Sequence, residues 1–312
     1  EELLKELFAH LHGDLRSSAP EGKVNIAGAW WPGPGAAPRG AWLEESLTPT
    51  GVVPTSHPSP LGRGAGLAAI NGWVQESTGG LLRAPLKADD LPANMTAALS
   101  LGLSLDSKWA RERSKKARAR VDSRAVKAHG RSRTVTTLTR RDRMYYAENA
   151  DYKIAEIGFR TEHTSFVMFV PKDPNSRLDA LPSGPALRRM LGDLAPTSLQ
   201  VGVPLFEART TQSLRQVLTR LGQEGLFEAD AFSPEAGARL GLVDVFQAAT
   251  MQVDKDGMRA TATTVLPLRA GASPPTKGGA APPGQRGKLP FAFIVRDTNW
   301  NVPLWMGRID SL

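Results

Sequence analysis

The fold of this chain is decided by the stretch Val253-Asp254-Lys255-Asp256-Gly257-Met258-Arg259-Ala260-Thr261-Ala262-Thr263-Thr264. An apolar segment that ends at Val253 precedes it and has the composition of a buried strand, Phe246–Val253. An acidic turn with one glycine follows, and then a run of small residues. Beyond this run come more than twenty residues rich in Pro and Gly, which favours a linker. The local pattern therefore leaves two interpretations open, a hairpin turn followed by a loop, or a segment that slots into a sheet.

Side chains along this stretch alternate between two faces when the chain is extended. One face carries little bulk and consists of Met258, Ala260, Ala262 and Thr264. The opposite face is mostly polar and consists of Arg259, Thr261, Thr263 and Val265. Small side chains can enter a packed interior without overfilling it. We therefore expect the first face to point inward, and Arg259 to face solvent, if the stretch joins a sheet.

The composition excludes several classes of protein. The 312 residues are 41% hydrophobic and 22% charged and include no cysteine, which excludes disulfides, thiolate metal sites and cysteine catalysis. No apolar run reaches the ~20 residues of a membrane-spanning helix. The five histidines are not spaced to hold a metal, and no nucleophile elbow or phosphate-binding loop is present. The sequence thus predicts no enzymatic activity, no cofactor and no metal.

Positive charge is concentrated in one segment, Lys108–Arg143. It holds fourteen Lys or Arg residues against three acidic residues, whereas the whole chain has a net charge of +8. A solvated helix over Arg111–Lys127 is one interpretation of this charge, and a polyanion site is the alternative. The candidate polyanion-binding residues are Arg113, Lys115, Lys116, Arg118 and Arg120.

Hydrophobic periodicity predicts helices and strands that do not alternate regularly, which favours an α+β fold. The predicted helices are Glu1–Arg16, Leu67–Thr78, Leu187–Leu194 and a segment capped by Thr211 and ended by Gly222. The predicted strands are Val24–Trp31, Leu99–Leu105, Met144–Ala147, Tyr152–Phe159, Thr164–Val170 and Val201–Phe206.

The stretch Lys255–Thr264 resembles the hinge of the reactive-centre loop in serpins, with an acidic residue, a glycine and a run of small residues. Further segments match the family in the same order along the chain. They are Ile70–Val74 with Thr78-Gly79, then Trp109, then Leu221–Phe227 with Ala231–Pro234, then Pro290–Asp297 and Pro303–Ile309.

The resemblance implies a single serpin-like domain over residues 1–312, with several helices, a large mixed β-sheet A, smaller sheets B and C, and a mobile reactive-centre loop at residues 257–289. It also implies a monomeric, extracellular suicide inhibitor of serine proteases. In the family, cleavage of the loop frees the hinge to insert between two strands, which here would be Leu99–Trp109 and Phe246–Asp254. A non-inhibitory serpin-fold protein is the alternative, because Met258 and Arg259 stand where the family usually has Thr or Ser and Glu. A glycosaminoglycan is the possible polyanionic partner.

The resemblance also assigns site residues. The hinge would consist of Asp256, Gly257, Met258, Ala260, Ala262 and Thr264. Trp109 and Gln247 would lie in the breach and shutter, the regions where the sheet opens. The reactive bond would be Gly271–Ala272, with Arg269, Lys277, Gly279 and Arg286 as alternatives.

The start of the chain departs from the family pattern. The predicted helix Glu1–Arg16 matches the fourth helix of the family, so roughly seventy residues of the pattern would be missing before it. The sequence is then either a fragment of a longer chain or a degenerate member.

Overall fold

The computed structural model describes residues 22–33, 54–56, 65–91, 95–111, 119–128, 131–173, 184–228, 231, 240–270 and 291–309. The predicted helix Glu1–Arg16 lies outside these residues. The helices in these ranges are α1 (Ala65–Ser77), α2 (Gly184–Gly192) and α3 (Arg215–Arg220), with 3-10 turns at Ala88–Asp90 and Glu224–Phe227. The strands are β1 (Gly22–Pro32), β2 (Pro54–Ser56), β3 (Ala97–Lys108), β4 (Arg120–Ala128), β5 (Arg131–Glu148), β6 (Tyr152–Gly158), β7 (Thr164–Pro171), β8 (Ala195–Pro204), β9 (Phe206–Ser213), β10 (Leu240–Leu242), β11 (Phe246–Val253), β12 (Gly257–Ala270), β13 (Phe291–Asp297) and β14 (Val302–Ile309).

The strands form two seven-stranded sheets. Sheet 1 has the order β2-β1-β3-β12-β11-β9, and β10 pairs with β12 beyond the end of β11. Its β1–β2 pair is parallel and its other pairs are antiparallel, so it is the large mixed sheet that the sequence predicts. Sheet 2 has the order β14-β13-β7-β6-β5-β4, with β8 also paired to β5. The long β5 pairs with β4 and β8 before it reaches β6, so it joins the strands expected for sheets B and C. The α+β fold class is confirmed.

The main core lies between the inner face of sheet 1 and sheet 2. Its fully buried side chains include Leu105, Met258, Phe166 and Val295. A second core lies on the opposite face of sheet 1, where α1 buries Ile70 and Val74. Each such side chain contributes about 1.5–3 kcal/mol to folding through removal of apolar surface from water. Sheet 1 is thus covered on both faces along part of its length.

Two local predictions are wrong. Arg120–Ala128 is strand β4 and not the second half of a helix, because each of its residues pairs with β5 in an antiparallel ladder. Thr211 is not a helix cap, since it lies in β9 opposite Ala248, and α3 begins only after Leu214. In both cases pairing with a neighbouring strand of the sheet outweighs the local helix signal, and this strand is adjacent in the chain for β4 and distant for β9.

An ion pair is buried within sheet 2. The Arg296 guanidinium donates from Nε to Oε1 of Glu156 and from Nη2 to Oε2, both at 2.9 Å. The hydroxyl of Ser165 donates to the same carboxylate at 2.5 Å, and the Arg296 Nη1 donates to Asn301. Glu156 and Arg296 are 6% and 9% exposed, so each charge depends on the other for its solvation.

Replacing Glu156 with Ala leaves the Arg296 charge buried without its carboxylate. We expect the free energy of unfolding to fall by about 3–5 kcal/mol, measured by urea denaturation. The matched control is Glu207→Ala, which breaks the exposed Glu207–Arg209 pair and should cost less than about 1 kcal/mol. Equal losses in the two variants would contradict a structural role for the buried pair.

Candidate functional site

The candidate site is strand β12, which lies at the centre of sheet 1. Along β3 it pairs over twelve residues, from Gly257 opposite Lys108 to Leu268 opposite Ala97. Along β11 it pairs over eight residues, from Met258 opposite Val253 to Val265 opposite Phe246. In this structure residues 257–270 are therefore a strand and not an exposed loop, and residues 271–290 lie outside the described part of the chain. The strands on either side of β12 are the two that the sequence predicts as its recipients.

The direction of β12 fits the gap that it fills. Because β12 is antiparallel to both neighbours, β3 and β11 run parallel to each other. An antiparallel strand between two parallel ones gives both of them the hydrogen-bond pattern that is slightly more stable per residue. The two ladders also satisfy backbone groups that would otherwise need water on both inner edges.

The small-residue face points to the core between the sheets, as predicted, but only its first half is fully buried. Met258 and Ala260 are 1% and 0% exposed, whereas Ala262 and Thr264 are half-buried. Arg259 is exposed, as predicted, and its Nη2 donates to Oε1 of Gln252 at 2.8 Å.

The opposite face of β12 is buried too, which the sequence did not suggest. Thr261 and Thr263 are 0% and 2% exposed. The Thr261 hydroxyl donates to the carbonyl oxygen of Leu103 at 3.2 Å, so its burial leaves its donor satisfied. Gly102 in β3 was the one sequence signal for this second buried face. A Cβ atom at Gly102 would lie 3.7 Å from the Trp73 ring of α1 and 3.9 Å from the Thr263 hydroxyl.

Gly257 occupies a position with no room for a side chain. A Cβ atom there would lie 2.1 Å from the carbonyl oxygen of Ser107 and 2.6 Å from the Cα atom of Lys108. Both of these are backbone atoms and cannot rotate away. Glycine at the start of β12 therefore allows β12 to approach the backbone of β3 at this point.

The turn between β11 and β12 is held by Asp254. Its carboxylate Oδ1 accepts hydrogen bonds from the backbone N–H groups of Asp256 and Gly257, and its own N–H donates to the Gly257 carbonyl at 3.0 Å. The Asp256 carboxylate binds the Lys255 ammonium at 2.7 Å and raises the pKa of Lys255. The acidic turn thus closes β11 and β12 into a hairpin.

Trp109 joins this turn to the end of β3. Its indole Nε1 donates to the carbonyl oxygen of Asp254, and its backbone N–H donates to that of Asp256, both at 3.0 Å. Its ring stacks on Phe159 with 4.9 Å between centroids. Trp109 therefore lies at the entrance of β12 into the sheet, where the resemblance implies the breach.

A buried polar contact beside Trp109 was not predicted. The Thr161 hydroxyl donates to Oγ of Ser107 at 2.7 Å, and the Thr161 N–H donates to the same atom at 3.1 Å. Gly22 packs against both side chains, and a Cβ atom there would lie 2.1 Å from the Thr161 hydroxyl oxygen. No local sequence pattern marks these three residues, which are far apart in the chain.

The remaining predicted residues are placed as follows. Gln247 is half-buried opposite Thr264 and accepts a hydrogen bond from Gln212 at 3.4 Å. Arg269 lies within β12 opposite Gly241. The other candidates for the reactive bond lie outside the described residues, after the end of β12 in the sequence. They are Gly271–Ala272 and the alternatives Lys277, Gly279 and Arg286.

The predicted polyanion residues are mostly beyond the described ranges as well. Arg113, Lys115, Lys116 and Arg118 fall outside them, and Arg120 is exposed at the start of β4, paired with Asp122. Within the described ranges, no group of three His, Asp or Glu side chains is placed to hold a metal ion. No helix in those ranges is long and apolar enough to cross a membrane.

Comparison with known proteins gives the family. A family model described as serpin (serine protease inhibitor) matches residues 1–312. An uncharacterized serpin-like protein of Pyrobaculum aerophilum is 26% identical over 247 residues, which are 78% of this chain and 64% of the relative. Antithrombin-III of Ovis aries is 26% identical over 196 residues, 59% of this chain and 40% of that protein. The chain thus spans less than two thirds of the length of these relatives.

Solved structures show the same fold. The structure of cleaved Serpin 42Da superposes with a TM-score of 0.76 at 18% identity, covering 100% of this chain and 80% of the other. Tengpin, a thermophilic serpin in the latent state, superposes with a TM-score of 0.74 at 19% identity, covering 99% and 82%. The family is one of inhibitors rather than enzymes. The two-sided pairing of β12, the family match over all 312 residues and the shared fold lead to one conclusion: this chain belongs to the serpin family.

Proposed function

We propose that the protein is a suicide inhibitor of serine endopeptidases, and that Gly257–Ala270 enters sheet 1 after a protease cleaves the chain beyond it. The observation that carries this proposal is the pairing of β12 with β3 and β11 along most of its length. The position of β12 in this structure is the one that it would take at the end of the reaction. In the starting state these residues would lie outside the sheet, where a protease can reach the segment that follows them.

The chemistry requires a bond that leaves the whole of β12 attached to the protease. We propose Gly271–Ala272, because Gly271 directly follows the last residue of β12, Ala270. The serine oxygen of the protease would bond to the carbonyl carbon of Gly271, and the bond to the Ala272 nitrogen would break as that nitrogen takes up a proton. The product is an ester between the protease and the end of β12, and insertion of β12 would then carry the protease away before water hydrolyses the ester.

The energy for this movement would come from the two new ladders. Each backbone hydrogen bond contributes about 0.5–1.5 kcal/mol net, so pairing on both sides supplies on the order of 10 kcal/mol. Burial of Met258 and Ala260 adds to it. Gains of this size are sufficient to distort a bound protease whose own stability is about 5–15 kcal/mol.

The two residues that favour a non-inhibitory protein in the sequence are both compatible with insertion. Met258 is accommodated in the core, and Arg259 is exposed with Gln252 as its partner. An extracellular location stays a prediction.

The direct test is incubation of the protein with elastase, subtilisin and trypsin, followed by denaturing electrophoresis. With a protease that accepts small residues at the cleaved bond, we expect a covalent complex that resists SDS. Mass spectrometry should show that the released fragment begins at Ala272. Complete cleavage of the segment with a fully active protease and no complex would exclude inhibition. A complex with a fragment that begins at another residue would reassign the bond and keep the function.

Neighbouring residues on opposite faces of β12 provide a matched pair of variants. Ala260→Glu places a carboxylate in the closed core and should block insertion, so the variant becomes an ordinary substrate that is cleaved without forming the complex. Arg259→Glu changes an exposed position and should keep complex formation. The fraction of cleaved protein found in the complex measures both outcomes, and a similar loss in the two variants would show that the assignment of faces is wrong.

Insertion of β12 should require glycine at position 257, because the residue there contacts the backbone of β3. Gly257→Ala forces a Cβ atom against the Ser107 carbonyl, and we expect it to destabilise the inserted state by about 1–3 kcal/mol. The rise in thermal midpoint that follows cleavage of the segment should then be smaller than in the parent. Gly72→Ala is the control, since a Cβ atom at Gly72 in α1 meets nothing within 4 Å. If the rise in thermal midpoint after cleavage were the same in the Gly257→Ala variant as in the parent, the contact with Ser107 would not limit insertion.

A further inference from the structure

The end of β3 is bonded to the segment that joins β6 to β7, residues 159–163. The backbone N–H of Arg160 donates to the carbonyl oxygen of Lys108, and that of Ala110 donates to the carbonyl oxygen of Gly158, both at 2.9 Å. Strand β12 begins opposite Lys108 as well. The end of β3 is therefore attached to sheet 2 where it pairs with the start of β12.

Thr161 adds a side-chain contact to this attachment. Its hydroxyl and its N–H both donate to Oγ of Ser107, at 2.7 Å and 3.1 Å. Thr161 and Ser107 are 1% and 2% exposed, so water does not compete for these hydrogen bonds. Gly22 closes the remaining side, since a Cβ atom there would lie 2.1 Å from the Thr161 hydroxyl oxygen and 2.8 Å from Oγ of Ser107. The Ser107 side chain is therefore fixed from two sides.

The position of Thr161 is set by sheet 2. Thr164, the first residue of β7, donates to the Thr161 carbonyl oxygen from its hydroxyl at 2.7 Å and from its N–H at 3.3 Å. Thr164 is itself buried, and its strand pairs with β6 and β13. The contact between Thr161 and Ser107 therefore transfers the position of a strand in sheet 2 to a residue in sheet 1.

Ser107 is the residue of β3 that receives the first residues of β12. Its ladder partner is Met258, and its carbonyl oxygen is the atom nearest to the place where a Cβ atom at position 257 would lie. Because the side chain and the carbonyl group of Ser107 share one Cα atom, bonds that hold the side chain also restrict the carbonyl group. A displaced Ser107 carbonyl would collide with Gly257 or lose its place in the ladder.

We propose that Thr161 is a positioning residue for insertion, because it keeps Ser107 in the place where β12 makes its first pairs. The inference rests on the proposed function, since it concerns the step that follows cleavage. After the protease has formed its ester with the chain, insertion of β12 competes with hydrolysis of that ester by water. A faster start of insertion therefore raises the fraction of cleaved molecules that trap the protease.

The first pairs of β12 are the ones that depend on Thr161. Strand β12 stays joined to β11 through the turn Asp254–Gly257, so its pairing with β3 costs the least loop-closure entropy next to Gly257. The residues of β3 at that point are Lys108 and Ser107. Cleavage precedes this step, so we expect the rate of cleavage not to depend on Thr161.

The test is the variant Thr161→Val, which replaces the hydroxyl with a methyl group of similar size. We expect the ratio of cleaved free protein to covalent complex to rise about fivefold, the order of rate change caused by the loss of one buried hydrogen bond. The rate constant of the first cleavage should stay unchanged. Thr161→Ser keeps the hydroxyl and should restore the ratio of the parent. Ser107→Ala removes the acceptor instead and should raise the ratio by a similar factor.

The matched control is Thr139→Val in β5. Thr139 is 7% exposed, and its side chain makes no hydrogen bond within the described part of the chain. The same substitution there should leave the ratio unchanged. The proposal would be overturned by an unchanged ratio in Thr161→Val, by an equal rise in Thr139→Val, or by a Thr161→Ser variant that behaves like Thr161→Val.

A parent protein that forms no complex would exclude inhibition and still leave the role of Thr161 to be decided. The measurement is then the rate at which the cleaved protein acquires its higher thermal midpoint, since this gain reports insertion itself. A slower gain in Thr161→Val than in Thr139→Val supports the positioning role. Equal rates in the two variants, or no gain in the parent, would overturn it.

Discussion

The two-sided pairing of β12 is the interaction on which the rest of sheet 1 depends. Its two ladders differ in origin. The ladder with β11 is local, because the turn Asp254–Gly257 reverses the chain directly into it. The ladder with β3 is not local, and the Thr261 hydroxyl reaches a carbonyl 158 residues away in the sequence. Closing such a long loop costs conformational entropy, which the backbone hydrogen bonds and buried surface of β12 have to exceed.

The composition of β12 follows from its place between two layers. On one side Ala260 meets the core shared with sheet 2, and on the other Thr261 and Thr263 are buried, with Thr263 near α1. Large side chains on either face would push a layer away from the sheet. Threonine is small enough for the side under α1, and its hydroxyl can bond to a neighbouring strand, as that of Thr261 does. A strand that is buried on both faces yet carries polar groups is also able to exist in water, which a strand of Val and Leu would not.

Local periodicity predicted much of this fold, and it failed where strand pairing overrides the local signal. The alternating leucines of β3, the apolar run of β7 and the glycine after α1 each carry their own signal. The basic residues of β4 suggested a solvated helix although β4 pairs with β5, the next strand in the chain. Thr211 suggested a helix cap, whereas it lies in β9 opposite Ala248, which is distant in sequence. The same limit applies to the site. The inward position of Met258 and Ala260 follows from alternation, whereas the burial of Thr261 on the opposite face depends on tertiary packing that the local sequence does not indicate.

At the end of β3, the β11–β12 hairpin meets the ladder between β12 and β3. The residues at this point fix how the two strands align. Gly257 allows the hairpin to approach the backbone at Ser107, and Trp109 then bonds to two carbonyls of the turn. The Ser107 side chain is itself fixed by Thr161, so the surface that receives Gly257 is rigid. A rigid receiving surface defines the register, since a shift of one residue would reverse the two faces of β12 and drive Arg259 into the core. The register at Gly257 therefore determines which side chains of β12 are buried along the whole strand.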